Sequence, residues 1–168
     1  LLKLDFPAAV NAVKVTYGLQ FGSIERPIHK NTLWDYARFE VCAQKWFDLS
    51  DGGFGLTLLS DCKYGCDVSR GHLRLTVLRS ATFPDPQQDQ GEQEFSCCLL
   101  PHGGAVSLPQ AQRAAYSFQT PLWAQRSAGG GRLAGAFSLL ETDRENVLVE
   151  TLKQAEDSDA LVLRAYEC

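Results

Sequence analysis

The 168 residues carry 16 Lys and Arg against 20 Asp and Glu, a net charge of −4, and are 45% hydrophobic. That is the composition of one globular domain, large enough to bury a core without covalent staples. Its basic residues are scattered rather than gathered in one stripe, which argues against nucleic acid as a partner. No apolar run approaches the roughly 18 residues of a membrane span, which argues against a membrane partner. The opening LLKLDFPAAV places Lys3 and Asp5 where an export signal needs an unbroken apolar stretch. With no Met anywhere, the sequence reads as a processed chain or an internal fragment. Six cysteines, Cys42, Cys62, Cys66, Cys97, Cys98 and Cys168, lack the spacing of a disulfide framework, and no Asn-x-Ser/Thr acceptor occurs. Reduced thiols in a reducing compartment are therefore expected.

Taken in chain order, the opening LLKLDF alternates like a strand, and 14–21 (KVTYGLQF) is the next. In 39–46 (FEVCAQKW), Phe39, Val41 and Ala43 fall on one face and Glu40 and Gln44 on the other, predicting a half-buried strand. Residues 55–60 (GLTLLS) are continuously apolar, as in a strand covered on both sides. In 72–78, Leu73, Leu75 and Val77 oppose His72, Arg74 and Thr76. Strands are also predicted at 95–100, 136–140, 147–152 and 161–166, and a single helix at 109–116 (PQAQRAAY), with Pro109 in its first turn. Connections fall at 22–31, 48–53, 80–91, 102–107 and 127–135, the last a Gly-rich surface loop. Short alternating strands between turn signals predict an all-β, antiparallel β-sandwich over residues 1–168.

Spacing nominates no catalyst. Cys62 and Cys66 lack the second ligand pair of a closed zinc site. Cys97 and Cys98 are consecutive and so face opposite sides of a strand. The turn 84–91 lacks the ligand periodicity of a calcium loop. Gly129, Gly130 and Gly131 precede Arg132 and Leu133, which excludes a P-loop. His29, His72 and His102 are too dispersed for a triad. The most suggestive constellation is Asp61-Cys62-Lys63-Tyr64-Gly65, where an acid, a base and a phenol follow an apolar strand. Such a set can hydrogen-bond sugar hydroxyls; the plainer reading is a turn with an Asp–Lys pair. Trp34, Trp46 and Phe47 mark an aromatic stretch expected to lie bare unless another domain covers it.

Read together, residues 20–41 (QFGSIERPIHKNTLWDYARFEV), 46–68 (WFDLSDGGFGLTLLSDCKYGCDV), 73–102, which includes PDPQQDQG, and 147–167 resemble the C-terminal β-rich region of family 38 glycoside hydrolases, of the cytosolic α-mannosidase type. The resemblance implies part of a galactose-mutarotase-like supersandwich, the C-terminal piece of a retaining α-mannosidase acting on terminal α-mannosyl bonds of free oligosaccharides. Its implied partners are an N-terminal catalytic barrel, a helical bundle and a mannose-containing oligosaccharide, all in the cytoplasm. It further implies that the nucleophile and a divalent metal, zinc or cobalt, belong to the barrel, with no cofactor bound by this chain. An Arg following a strand like 73–78 reaches toward the catalytic face in this family, which corresponds here to Arg79, with Asp85 and Asp89 next along the loop. With Asp61, Lys63 and Tyr64 these form the expected substrate rim. Members usually carry His near Gln44 and Gln93 and Glu near Gly18; the glutamines retain hydrogen bonding but no titratable charge. The competing expectation is a stand-alone carbohydrate-binding or protein-interaction module.

Overall fold

A computed structural model describes residues 1–133 and 135–168. Two antiparallel sheets face each other. One has the order β1 (Leu2–Pro7), β8 (His72–Leu78), β7 (Gly65–Ser69), β4 (Val41–Cys42). The other runs β3 (Gly22–Pro27), β2 (Lys14–Leu19), β5 (Trp46–Ser50), β6 (Phe54–Ser60), β9 (Cys97–Gly103). Leu73, Leu75 and Val77 of β8 are buried between the sheets against Val15, Tyr17, Phe47, Leu49, Leu56 and Leu58, as the alternation of β8 predicts. The opposite parity of β8 and its neighbours makes a polar outer face, on which Asp67 binds both Lys3 and Arg74 and Thr76 donates to Glu40.

Strand β6 is covered on both sides because a third layer lies on the second sheet. Helix α2 (Leu108–Gln119) packs Ala111 and Ala115 against Trp46 and Leu59. Cys97 packs into the inter-sheet core and Cys98 toward α2, the opposite orientations expected of consecutive strand residues. A separate hairpin, β10 (Val147–Gln154) and β11 (Leu161–Glu167), pairs only with itself among the described residues. It is tied to the rest by a polar chain, in which Trp46 Nε1 donates to Gln112 Oε1 (2.6 Å) and Gln112 Nε2 donates to the Tyr166 hydroxyl (2.9 Å), and by an edge-to-face contact of Tyr166 with Phe21, 5.5 Å between ring centres.

Several expected elements are corrected. The strand expected at 14–21 turns at Gln20-Phe21 and returns as β3 within the segment expected to be a connection. The strand expected at 39–46 survives only as β4, with Phe39 exposed, because the chain crosses from one sheet to the other at Ala43 to Lys45, where Lys45 adopts φ 71°. It resumes at Trp46, the last residue of the expected strand, as β5, which runs on into the expected loop 48–53. β7 follows the 61–64 turn and has no counterpart among the expected strands. β9 begins two residues late and runs into the expected connection 102–107. A second helix, α1 (Leu33–Ala37), is fixed by a capping box in which Thr32 Oγ1 accepts from the Asp35 amide (3.1 Å) and Asp35 accepts from the Thr32 amide (3.2 Å). Residues 136–140 form no strand, and 127–133 with 135 are irregular; Ala134, in that expected loop, lies outside the described residues. The aromatic stretch also divides: Trp34 is 82% exposed, whereas Trp46 and Phe47 are core residues at 2% and 1%.

Candidate functional site

Register gathers the expected rim residues at one end of the sandwich. Ser60, ending β6, pairs with Cys97, which begins β9, while β7 starts and β8 finishes at the same end. The 61–64 turn and the 79–96 loop therefore meet, and Asp61 joins them. Its Oδ2 accepts from the Ser96 amide (2.8 Å) and its own amide donates to the Ser96 carbonyl (3.2 Å). Burial pushes the Asp61 carboxyl up, but the adjoining Cys62 thiol and amide and the hydrogen bond from the Ser96 amide outweigh it and hold the group below the usual carboxylate range.

The expected Asp61–Lys63 pair does not form. The Lys63 amide donates to Ser60 Oγ (2.9 Å), and its ammonium lies 5.6 Å from the centre of the Phe95 ring, a cation–π contact. Tyr64 is about half exposed, and its carbonyl accepts from the Ala43 amide (2.9 Å), which ties its backbone to the crossing between the sheets. In the long loop, Asp89 Oδ2 accepts from the Ser80 (2.8 Å) and Arg79 (3.3 Å) amides, stabilising positive φ at Ser80 (51°). Asp85 Oδ1 accepts from the Gln87 amide (2.9 Å) in an Asx turn. Asp61, Asp85 and Asp89 thus shape the loops with their carboxylates. The Arg79 guanidinium is exposed and has no acceptor among the described residues. This end therefore presents an unspent guanidinium, an ammonium without a carboxylate partner and a phenol, groups suited to hydroxyl and carboxylate oxygens.

Sequence reasoning missed one polar cluster. Asp48 Oδ2, in the middle of β5, accepts from Thr57 Oγ1 (2.7 Å) and meets His102 Nε2 (2.7 Å) on the α2 side of the sheet. Asp48 Oδ1 and His102 Nδ1 are buried and have no partner among the described residues. An acid sharing strand parity with the buried Trp46 was the available signal. Gly18 is the other. A Cβ there would lie 2.5 Å from the Gln44 carbonyl and 2.6 Å from Trp46 Nε1, so the Glu usual in the resembling family has no room against this indole. Burial pushes up the Cys66 and Cys62 thiols, Asp61 adding to the effect at Cys62, which makes both poor thiolates. Among the described residues no group of three or more His, Cys, Asp or Glu is placed to hold a metal ion. The closest approaches, His102 with Asp48 and His72 with Asp5, supply one His and one carboxylate each.

Fold and site together describe an antiparallel β-sandwich domain with oxygen-seeking donors at one end. Residues 1–87 match the model of the glycosyl hydrolases family 38 C-terminal domain, and residues 146–168 that of the family 38 C-terminal beta sandwich domain. Human Alpha-mannosidase 2C1 is 46% identical over 99% of this chain, and Alpha-mannosidase G of Dictyostelium discoideum 39% identical over 99%, the chain covering 16% of each. A crystal structure of an alpha-mannosidase from Enterococcus faecalis V583 superposes with a TM-score of 0.82 over 97% of the chain and 20% of that protein, a likeness of fold at 21% identity. The chain belongs to glycosyl hydrolase family 38 and corresponds to the C-terminal domain of a full-length α-mannosidase of that family. It spans about one sixth of the length of the curated relatives it matches.

Proposed function

We propose that these residues form a single β-domain of a cytoplasmic retaining α-mannosidase that hydrolyses terminal α-mannosyl bonds of free oligosaccharides. In this reading the domain scaffolds an N-terminal catalytic barrel and helical bundle and contributes Arg79, Lys63 and Tyr64 to the substrate rim. Asp61, Asp85 and Asp89 hold the rim loops in shape. The observation that carries it is the Arg79 guanidinium, exposed where two backbone-pinned loops meet and left with its hydrogen-bonding capacity unspent. Support for the cytoplasm comes from six cysteines that form no disulfide, including buried Cys66.

A retaining glycosidase needs two carboxyl groups about 5 to 5.5 Å apart, one as nucleophile and one as acid and base. The carboxylates of Asp61, Asp85 and Asp89 are engaged by backbone amides, and the family resemblance implies that the chemistry belongs to the catalytic barrel. Among the described residues no cluster of His, Cys, Asp or Glu fits the divalent metal that the family resemblance implies, and no step of this reading is routed through one here. The role left for this chain is to bind and orient: a guanidinium can hold a sugar hydroxyl or a catalytic carboxylate through two parallel hydrogen bonds. Hydrolysis of an aryl α-mannoside by the full-length polypeptide, with none by the 168-residue chain alone, is the expected result. Turnover by the isolated chain, or mannoside binding by it with no activity in the longer polypeptide, contradicts the reading and favours the stand-alone module.

A further inference from the structure

Helix α1 buries none of its own residues. It is held by its capping box and by polar contacts: Arg38 binds Asp35, and His29 Nδ1 stands 3.6 Å from the same carboxylate. Hydrogen bonds of this kind fix a short helix without covering it. Leu33 (87%), Trp34 (82%) and, five residues on, Phe39 (67%) consequently stand in solvent on one short segment, a concentration of exposed apolar side chains of the kind that marks an interaction surface.

Through Asp35, Arg38 and Phe39 the same segment borders a small pocket that reaches down to Tyr17 and is lined also by Arg26, Lys30 and Arg74. Its two carboxylates are already committed, Asp35 to Arg38 and Asp67 to Lys3 and Arg74. Arg26 is not. Its guanidinium stacks 4.8 Å over the buried Tyr17 ring, and its only acceptor among the described residues is the Cys42 carbonyl at 3.5 Å, a weak bond. Lys30 lies 5.6 Å over the Tyr36 ring and has no carboxylate partner among the described residues. The result is a positively charged recess in a chain of net charge −4. At about 40 Å³ it holds a few waters or one small oxyanion, since a single water needs roughly 10 to 15 Å³, and a sugar ring does not fit.

We propose that this recess is the socket for a side-chain carboxylate presented by another part of the same enzyme polypeptide, with Leu33, Trp34 and Phe39 as the apolar rim of the contact. The proposal rests on reading the chain as one domain of a larger α-mannosidase. That occupant is chosen for two reasons. The matched region is only 16% of each relative, so most of such a polypeptide is available to cover the surface. The pocket is also complementary to a carboxylate in charge and size, and an Arg anchor ringed by neighbouring contacts that exclude water is where interface energy concentrates.

Hydroxyl-radical footprinting of the full-length enzyme tests this, comparing Trp34 in the native and urea-unfolded protein. Protection of Trp34 by about tenfold or more is expected, unchanged by dilution and lost in Arg26→Glu, since a like charge facing the carboxylate drives local opening. Because Arg26 also stacks on Tyr17, Lys30→Glu, at an exposed position, is measured in parallel and should lower protection in the same direction. Labelling of native Trp34 at the unfolded rate overturns the proposal. Protection that disappears on dilution assigns the surface to a second copy, and protection that requires added inorganic phosphate or acetate assigns the pocket to a free anion; either overturns it. Aryl α-mannoside hydrolysis is followed on the same samples. Activity with a bare Trp34 refutes the socket alone, whereas an inactive wild-type enzyme refutes the functional reading beneath it.

Discussion

Gln112 is the residue whose loss should most disturb the joint between the sandwich and its C-terminal hairpin. It is 1% exposed, accepts from Trp46 Nε1 at 2.6 Å, and donates to the Tyr166 hydroxyl at 2.9 Å, which in turn donates to the Tyr116 hydroxyl at 3.3 Å. Gln112→Met keeps most of the volume and removes both bonds. Trp46, itself 2% exposed, then has a buried N–H with no acceptor, a cost of about 1 to 3 kcal/mol. Gln112→Ala adds a cavity that the layer of α2 on β5 and β6 cannot close, bringing the loss to about 2 to 4 kcal/mol. Tyr166→Phe leaves the Trp46 bond intact and should cost only about 1 kcal/mol. Urea unfolding followed by tryptophan fluorescence measures all three, at unchanged slope. A Gln112→Met protein within about 0.5 kcal/mol of the unsubstituted chain would show that the indole finds another acceptor and that the joint is not polar.

Gly18→Ala should destabilise by about 1 to 3 kcal/mol in the same assay, because the new methyl meets the Gln44 carbonyl and the Trp46 indole at distances real contacts do not show. Asp61 gives an acid-dependent contribution. Its folded-state carboxyl lies below the ordinary value of about 3.9, so its stabilisation is complete above that value and is lost as pH falls through the lower folded one. Urea midpoints should therefore drop more between about pH 5 and pH 2 for the unsubstituted chain than for Asp61→Asn, and parallel profiles would contradict the Ser96 linkage. Alkylation under denaturing, non-reducing conditions should modify all six cysteines, and protected pairs found by mass spectrometry would argue for an oxidising compartment.

What the sequence disclosed followed from periodicity where one sheet face is buried. Leu73, Leu75 and Val77 read correctly because β8 has a core on one side and a charged face on the other, and Cys97 and Cys98 read correctly from parity alone. Periodicity failed where the chain changes layers. Ala43 continues the alternation begun at Phe39 and Val41, yet Phe39 belongs to the exposed α1 segment and Ala43 to the crossing between sheets. Helix α1 escaped notice because it has no buried face to impose a period; its signal was the Thr32 to Asp35 capping spacing. At the candidate site the residue types were legible and their obligations were not. Asp61 and Lys63 are two apart and suggested a pair, but a carboxylate that can reach the Ser96 amide across two strands closes the loops instead. The Asp48, Thr57 and His102 cluster needed the register of β5, β6 and β9 before its members could be seen as neighbours.

The rim assignment is tested most directly by Arg79→Ala in the full-length enzyme, compared with Lys63→Ala at matched folding stability. A guanidinium that holds a sugar hydroxyl or a catalytic carboxylate in a water-poor site contributes about 1.5 to 3 kcal/mol as a charged hydrogen bond. Felt in the transition state, that is about one to two decades in kcat/KM for an aryl α-mannoside. Lys63, whose ammonium already rests on Phe95, should have the smaller effect. A fall of that size for Arg79→Ala alone is the predicted result; near-wild-type kcat/KM for Arg79→Ala would remove this end of the sandwich from the active site and leave the domain as scaffold only.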